Sequence, residues 1–198
     1  MISNAKVAGT LLLIGGVQFI IALIIAEAVY PGYSISTNMI SDLGVWGKPS
    51  AAIFNISIMI FGLTVIASSI FLNKQFRHLG VATLFAIAGA GSLGVGIFPE
   101  NTFIVAGVPV LHSIFALLAF VVGGLSAIAA YKITKSPFSY LSVFLGVFGL
   151  IAFVLFLFTG NSGSLGIGAG AMERMTAYPT LLLIIAFGGY LLGNLQVK

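Results

Sequence analysis

Six long apolar runs, nearly free of charge, constrain this chain more than any other feature. They lie at 7–28, 51–72, 79–98, 108–131, 138–159 and 176–195 of 198 residues. A helix needs roughly 20 apolar residues to cross a hydrocarbon core. Barrel strands would instead alternate apolar and polar residues over about ten positions. These runs are apolar on every side, so the expected fold is all-α, a polytopic bundle of six transmembrane helices. Charged residues make up 6% of the chain, against about 25% in a soluble domain. A water-facing surface cannot be built from so few. No intervening segment is long enough to fold alone, which predicts a single six-helix domain over residues 1–198. The chain has no cysteine, so thiolate catalysis and thiolate metal sites are excluded.

The first run has features of a signal peptide, with Lys6 before it and Ala26-Glu27-Ala28 at its end. Its apolar length exceeds the usual 7–15 residues or so, and a retained span is expected. The basic residues then set an orientation. With the N-terminus cytoplasmic, the inner side receives Lys6, Lys74, Arg77, Lys132, Lys135 and Lys198, and the outer side only Lys48 and Arg174. This is a positive-inside pattern over short loops. It predicts a multi-pass cell-membrane protein with both termini cytoplasmic. All four acids, Glu27, Asp42, Glu100 and Glu173, fall at the outer face. The inner links at 73–78 and 132–137 are short and basic. The outer loops at 29–50, 99–107 and 160–175 carry most of the polar chemistry.

In the first outer loop, Tyr30, Tyr33 and Trp46 suit the headgroup level. A short surface helix is expected over 38–43, with Asn38, Ser41 and Asp42 on one face. These residues read either as a polar cluster for a headgroup or ion, or as capping and turn chemistry. Asn55 lies in the first turns of the second span. The triplet Asn55-Ile-Ser57 fits a glycosylation acceptor but sits inside the span, so that match is discarded. Its amide serves an interhelical hydrogen bond or an outer polar site.

Gly89-Ala-Gly91-Ser-Leu-Gly94 matches a dinucleotide fingerprint, which means nothing outside a strand-to-helix turn. In a membrane helix such glycines let backbones approach, and Gly189 and Gly193 form a similar pair. Gly91-Ser-Leu-Gly-Val-Gly96 recurs as Gly163-Ser-Leu-Gly-Ile-Gly168. The flanking residues do not extend the match, and small residues are frequent throughout.

Glu100 ends the third span after Phe98-Pro99, and His112 sits just inside the fourth. The short link between them makes them expected neighbours. An ionisable residue within a span is a functional candidate by default. The alternative is a histidine satisfied by a backbone carbonyl. Glu173-Arg174 follows a Gly-rich loop at the entrance to the sixth span. Arg174 either makes a bidentate contact to phosphate or carboxylate, or pairs with Glu173, Glu100 or Asp42. His78 belongs with Lys74 and Arg77 in a basic turn. The two histidines lie on opposite faces, so they cannot share a haem or metal.

Asn38-Met-Ile-Ser41-Asp42-Leu-Gly44, Phe54-Asn55, Gly96-Ile-Phe98-Pro99-Glu100, His112 and Glu173-Arg174, in this order, resemble the six-span family called domain of unknown function 998. That family is loosely grouped with the Frag1/DRAM/Sfk1 type of membrane proteins. The resemblance implies a lipid-related leaning and treats the outer polar residues as one site. The expected function is recognition, with modification or handling left open, of a lipid headgroup at the outer leaflet. Asn38, Ser41, Asp42, Asn55, Glu100, His112, Glu173 and Arg174 would form its site. Membrane lipids and other membrane subunits are the partners to expect, with no cofactor, metal or nucleic acid implied. An accessory subunit and a proton-coupled small-solute transporter are the competing readings.

Overall fold

The computed structural model describes residues 2–159 and 166–193. Six helices are long and apolar enough to cross a membrane. They are α1 (Asn4–Val29), α2 (Ala51–Phe76), α3 (Leu79–Ile97), α4 (Val110–Ile133), α5 (Phe138–Thr159) and α6 (Ala169–Gly193).

Local chemistry sets their ends. Ser3 caps α1 by accepting the Lys6 N–H at 3.3 Å. Arg77 takes left-handed backbone at φ 53° and ends α2, donating its N–H to the Asn73 carbonyl. His78 then caps α3, its Nδ1 accepting the Val81 N–H at 3.3 Å. The basic turn is therefore tight, and His78 has a structural task. A two-stranded hairpin, β1 (Ile104–Val105) and β2 (Val108–Pro109), precedes α4. Within α4, residues Leu118–Val122 form a wider turn. It lies where α3 comes close, since a β-carbon on Gly91 would meet the Ala119 nitrogen at 2.5 Å.

The sixth helix starts at Ala169, seven residues before the expected start of the sixth span at 176. Hydropathy falls at Glu173-Arg174, but the helix runs through both because the first loop folds over its start. Ala171 donates its N–H to the Ser36 carbonyl at 3.2 Å, and Ser36 Oγ donates to the Ile167 carbonyl at 2.7 Å. Free N–H groups of a helix start are thus served by another loop. The second copy of the glycine repeat lies outside the described residues at 163–165.

Each helix packs on its sequence neighbours, and α6 returns onto α1, closing a ring. In lipid there is little hydrophobic drive between helices, so close backbone packing carries the association. Three crossings are glycine on glycine. A β-carbon on Gly62 would meet the Gly89 oxygen at 2.6 Å, one on Gly188 the Gly9 oxygen at 2.8 Å, and one on Gly146 the Gly124 oxygen at 2.6 Å. Gly189 and Gly193 have nothing within 4 Å. One residue turns a helix by about 100°, so Gly188 meets α1 and Gly189 does not.

The two ends of the ring differ. One end carries Lys74, Arg77, Lys132 and Lys135 in short turns. At the other, the polar end, the loop after α1 dips into the bundle. Its Ile40 and Leu43 are buried against Phe19, Leu23, Phe54 and Leu181. A 3-10 turn at Ser41–Gly44 takes the place of the short surface helix expected over 38–43.

Candidate functional site

At the polar end, the adjacent residues Glu173 and Arg174 on α6 separate two networks. Both are 5% exposed. Arg174 turns toward α1 and the first loop. Its Nη1 donates to the carbonyls of Ile35, Asn38 and Gly170 at 3.0, 3.0 and 2.9 Å. Its Nη2 donates to Glu27 Oε1 and to the Tyr33 hydroxyl, both at 2.6 Å. Tyr33 in turn donates its hydroxyl to the Met39 carbonyl at 2.8 Å. Burial pushes the Tyr33 hydroxyl up to about 12, against the opposing pull of Arg174. The phenol therefore stays protonated and keeps that bond. The partner of Arg174 is thus Glu27, rather than Glu173, Glu100 or Asp42. Its forked nitrogens are taken up by the protein, while Nε has no partner among the described residues.

The first loop is held from within by three of the expected site residues. Asn38 Nδ2 donates to Asp42 Oδ2 at 3.2 Å, and the same oxygen accepts the Met39 N–H at 2.9 Å. Asn38 Oδ1 accepts the Ser34 N–H at 3.1 Å. Asn55 Nδ2 donates to the Gly44 carbonyl at 2.8 Å, tying α2 to the loop. Asn55 Oδ1 is buried and has no partner among the described residues. The bonds of Asn38 and Asp42 follow the turn and capping alternative, that of Asn55 ties helix to loop, and together they pin the loop that shapes the site. Asn101 adds a second clasp, exchanging hydrogen bonds with the Trp46 backbone at 3.0 and 3.1 Å.

Glu173 turns the other way, toward the ring axis. Its Oε2 accepts the backbone N–H groups of Ile40 and Ser41. Ser41 lies beside both Glu173 and Glu100. Glu100 Oε1 lies 3.6 Å from His112 Nε2. His112, 6% exposed, has its Nδ1 3.0 Å from the Phe98 carbonyl. A carbonyl only accepts, so Nδ1 carries the hydrogen and Nε2 is left to face Glu100. Burial pushes the Glu100 carboxyl above its ordinary 4.5; Asp42 pushes the same way, while Ser41 and His112 oppose. Ser41, Glu100, His112 and Glu173 thus come together from the loop after α1, the end of α3, α4 and α6. Among the described residues, no three histidines, aspartates or glutamates form a group placed to hold a metal ion.

Below this cap the ring encloses a cavity of about 90 Å³. A single water needs about 10–15 Å³, so the space holds several waters or an apolar group. Ser41, His112 and Glu173 line its polar end. Phe19, Phe54, Phe61, Ala88, Ala116 and Phe120 are among its apolar walls, drawn from α1, α2, α3 and α4. Tyr178 on α6 also lines it and is 36% exposed, so the wall reaches the surface there. Sequence reasoning missed these walls, and also Glu27 and Tyr33 as partners of Arg174. A phenylalanine lining a cavity and one facing lipid look the same in a uniformly apolar run.

A family described as "Protein of unknown function (DUF998)" matches residues 13–190. The chain belongs to that family. The match takes in both networks and the whole cavity. No curated protein and no solved structure matches the chain. For this DUF998 protein, function has to be argued from the geometry of the cap and the cavity beneath it.

Proposed function

We propose that this DUF998 protein binds an amphiphile of the membrane, with the headgroup at the Ser41–Glu100–His112–Glu173 cap and the apolar part along the ring axis. The observation that carries this reading is the cavity: polar at one end and mainly apolar along its length. A water-filled polar route would need acids or bases deeper in the spans. The deeper hydroxyls of Ser92 and Ser126 instead bond the carbonyls of Ala88 and Gly123 on their own helices. The basic turns at the opposite end favour a cytoplasmic position for that end, and with it an outer-leaflet position for the cap. A second reading, an accessory subunit, is favoured by the open face at Gly189 and Gly193.

Native mass spectrometry of the purified protein tests the amphiphile reading. The native protein is expected to retain a lipid-sized adduct, and Ala116→Phe, which fills the cavity, to lose it. Equal adducts on both would overturn the reading. For the orientation, single cysteines at Thr37, Asn73 and Ser136 report directly, because the chain has none of its own. An impermeant thiol reagent added to intact cells should label position 37 alone. Labelling of 73 or 136 instead would move the cap to the inner leaflet.

A further inference from the structure

Charge decides which headgroup such a cap takes. Among the described residues, no lysine or arginine lines the cavity. Arg174 is committed to Glu27, Tyr33 and three carbonyls. Lys48 is exposed, with its ammonium over the Tyr30 ring at 4.9 Å. Against this, the Glu173 carboxyl lines the polar end of the cavity, and the Glu100 carboxyl stands 3.6 Å from Nε2 of His112, which lines the same end. Among the described residues, the only base beside them is His112, and two carboxyls outnumber one imidazole even when that ring is protonated. His112 is also incompletely served. Its Nε2 has no hydrogen bond among the described residues, and the nearest carboxylate oxygen stands at 3.6 Å. A phosphate or sulfate there would meet like charge in a poorly solvated place, where repulsion is weakly screened. A protonated amine has three N–H donors and no acceptor. It would match the carboxyl oxygens and compensate the charge that burial makes costly.

We infer that the Glu100–Glu173 cap selects an ammonium group carried on an apolar chain, an inference that rests on the amphiphile reading above. The ammonium sits between the carboxyls at the polar end, and the chain runs down between Phe19, Phe61 and Phe120. Both a free long-chain amine and an ethanolamine lipid present this chemistry.

The test is a competition on the full-length protein in lipid nanodiscs, read by native mass spectrometry. Dodecylamine, dodecyl phosphate and dodecanol are supplied in equal amounts, because they share one chain and differ only in the headgroup. The amine adduct is expected to exceed each of the others by roughly tenfold, the scale of one partly screened charge contact. Glu100→Gln and Glu173→Gln should each shrink that preference, and Ala116→Phe should remove all three adducts. A second arm sets lysophosphatidylethanolamine against lysophosphatidylglycerol. Retention of the former points to a lipid headgroup as the source, and retention of dodecylamine alone to a free amine. Equal retention of the three probes, or a preference for the phosphate, with loss in Ala116→Phe, overturns the ammonium assignment and leaves the amphiphile reading standing. An amine preference that survives the double variant Glu100→Gln/Glu173→Gln also overturns the assignment. Adducts that survive Ala116→Phe, or no adduct on the native protein, overturn both. The native protein alone decides the first question, so the result does not depend on any variant folding.

Discussion

Glu173 and Arg174 are neighbours in sequence, equally buried, and opposite in their surroundings. Arg174 meets two side-chain oxygens and three carbonyls, and its charge is matched by Glu27 at 2.6 Å. Glu173 meets backbone N–H groups and a cavity, with Ser41 and a second carboxyl nearby and, among the described residues, no cation in contact. A charge whose partners are all supplied by its own chain is a frame. A charge whose compensation stops short is where something else belongs. The helix makes the separation, because adjacent residues point about 100° apart. One therefore faces α1 and the loop, and the other faces the ring axis.

The comparison breaks first at Arg174. Arg174→Met removes the cation and leaves the Glu27 carboxylate and several loop carbonyls without donors. Breaking a buried pair costs about 3–5 kcal/mol. We expect a large drop in unfolding temperature in detergent. Arg174→Lys should recover only part of it, because an ammonium cannot reproduce the guanidinium fork. Glu27→Gln should cost less than Arg174→Met, since Gln keeps an acceptor and the Glu27 side chain is 18% exposed. An unfolding temperature indifferent to Arg174→Met would mean that the loop needs no frame.

The cavity side should respond in the opposite sense. Glu173→Gln keeps the shape and an oxygen for the Ile40 and Ser41 N–H groups, and removes a buried charge. A neutral hydrogen bond is worth about 1 kcal/mol net. Stability is therefore expected to hold within about that amount, or to rise. Retention of the bound amphiphile should fall at the same time. A collapse in stability comparable to that of Arg174→Met would make Glu173 a second frame residue and dissolve the contrast.

How much of this was legible in the sequence follows from what each feature depends on. The six spans are a matter of run length and polarity, which are local, and the all-α expectation needed nothing else. The meeting of Glu100 and His112 was also legible, because a short link between two antiparallel helices leaves their ends few places to go. The start of α6 was not, because a helix carries a buried Glu-Arg pair only when something far away serves it. Here that is Ser36, Glu27, Tyr33 and the backbone of Ile35 to Ser41, more than 130 positions earlier. The direction of Arg174 was hidden for the same reason. The spacing of Asn38 and Asp42 showed that they belong together, yet turn chemistry and ligand chemistry use the same residues. Only their bonds to each other and to Met39 separate the two. The glycine crossings were legible in kind. The choice of Gly188 over Gly189 depends on helix phase against α1, which composition does not carry.

The smallest effect expected is the most discriminating about the cap itself. Burial holds the Glu100 carboxyl above its ordinary 4.5. A carboxyl raised in this way favours the folded state most when it is protonated. Its contribution is full below the unfolded value and is lost as pH rises through the folded one. Glu100→Gln stays neutral throughout and loses nothing. The native protein should therefore fall behind Glu100→Gln in unfolding temperature as pH climbs from about 4.5, with the gap levelling once Glu100 is ionised in both states. The gap should stay below the loss at Arg174, because the Glu100 side chain is 19% exposed and water relieves part of the cost. Saturating dodecylamine then sharpens the contrast. A cation at the cap favours the ionised carboxylate, lowers the folded value and flattens the slope. A slope absent from the start would place Glu100 in free solvent and remove it from the cap. A slope present but untouched by the amine would keep the buried carboxyl and send the ammonium elsewhere. Arg174 stays a guanidinium cation over the whole of that pH range and adds no titration of its own.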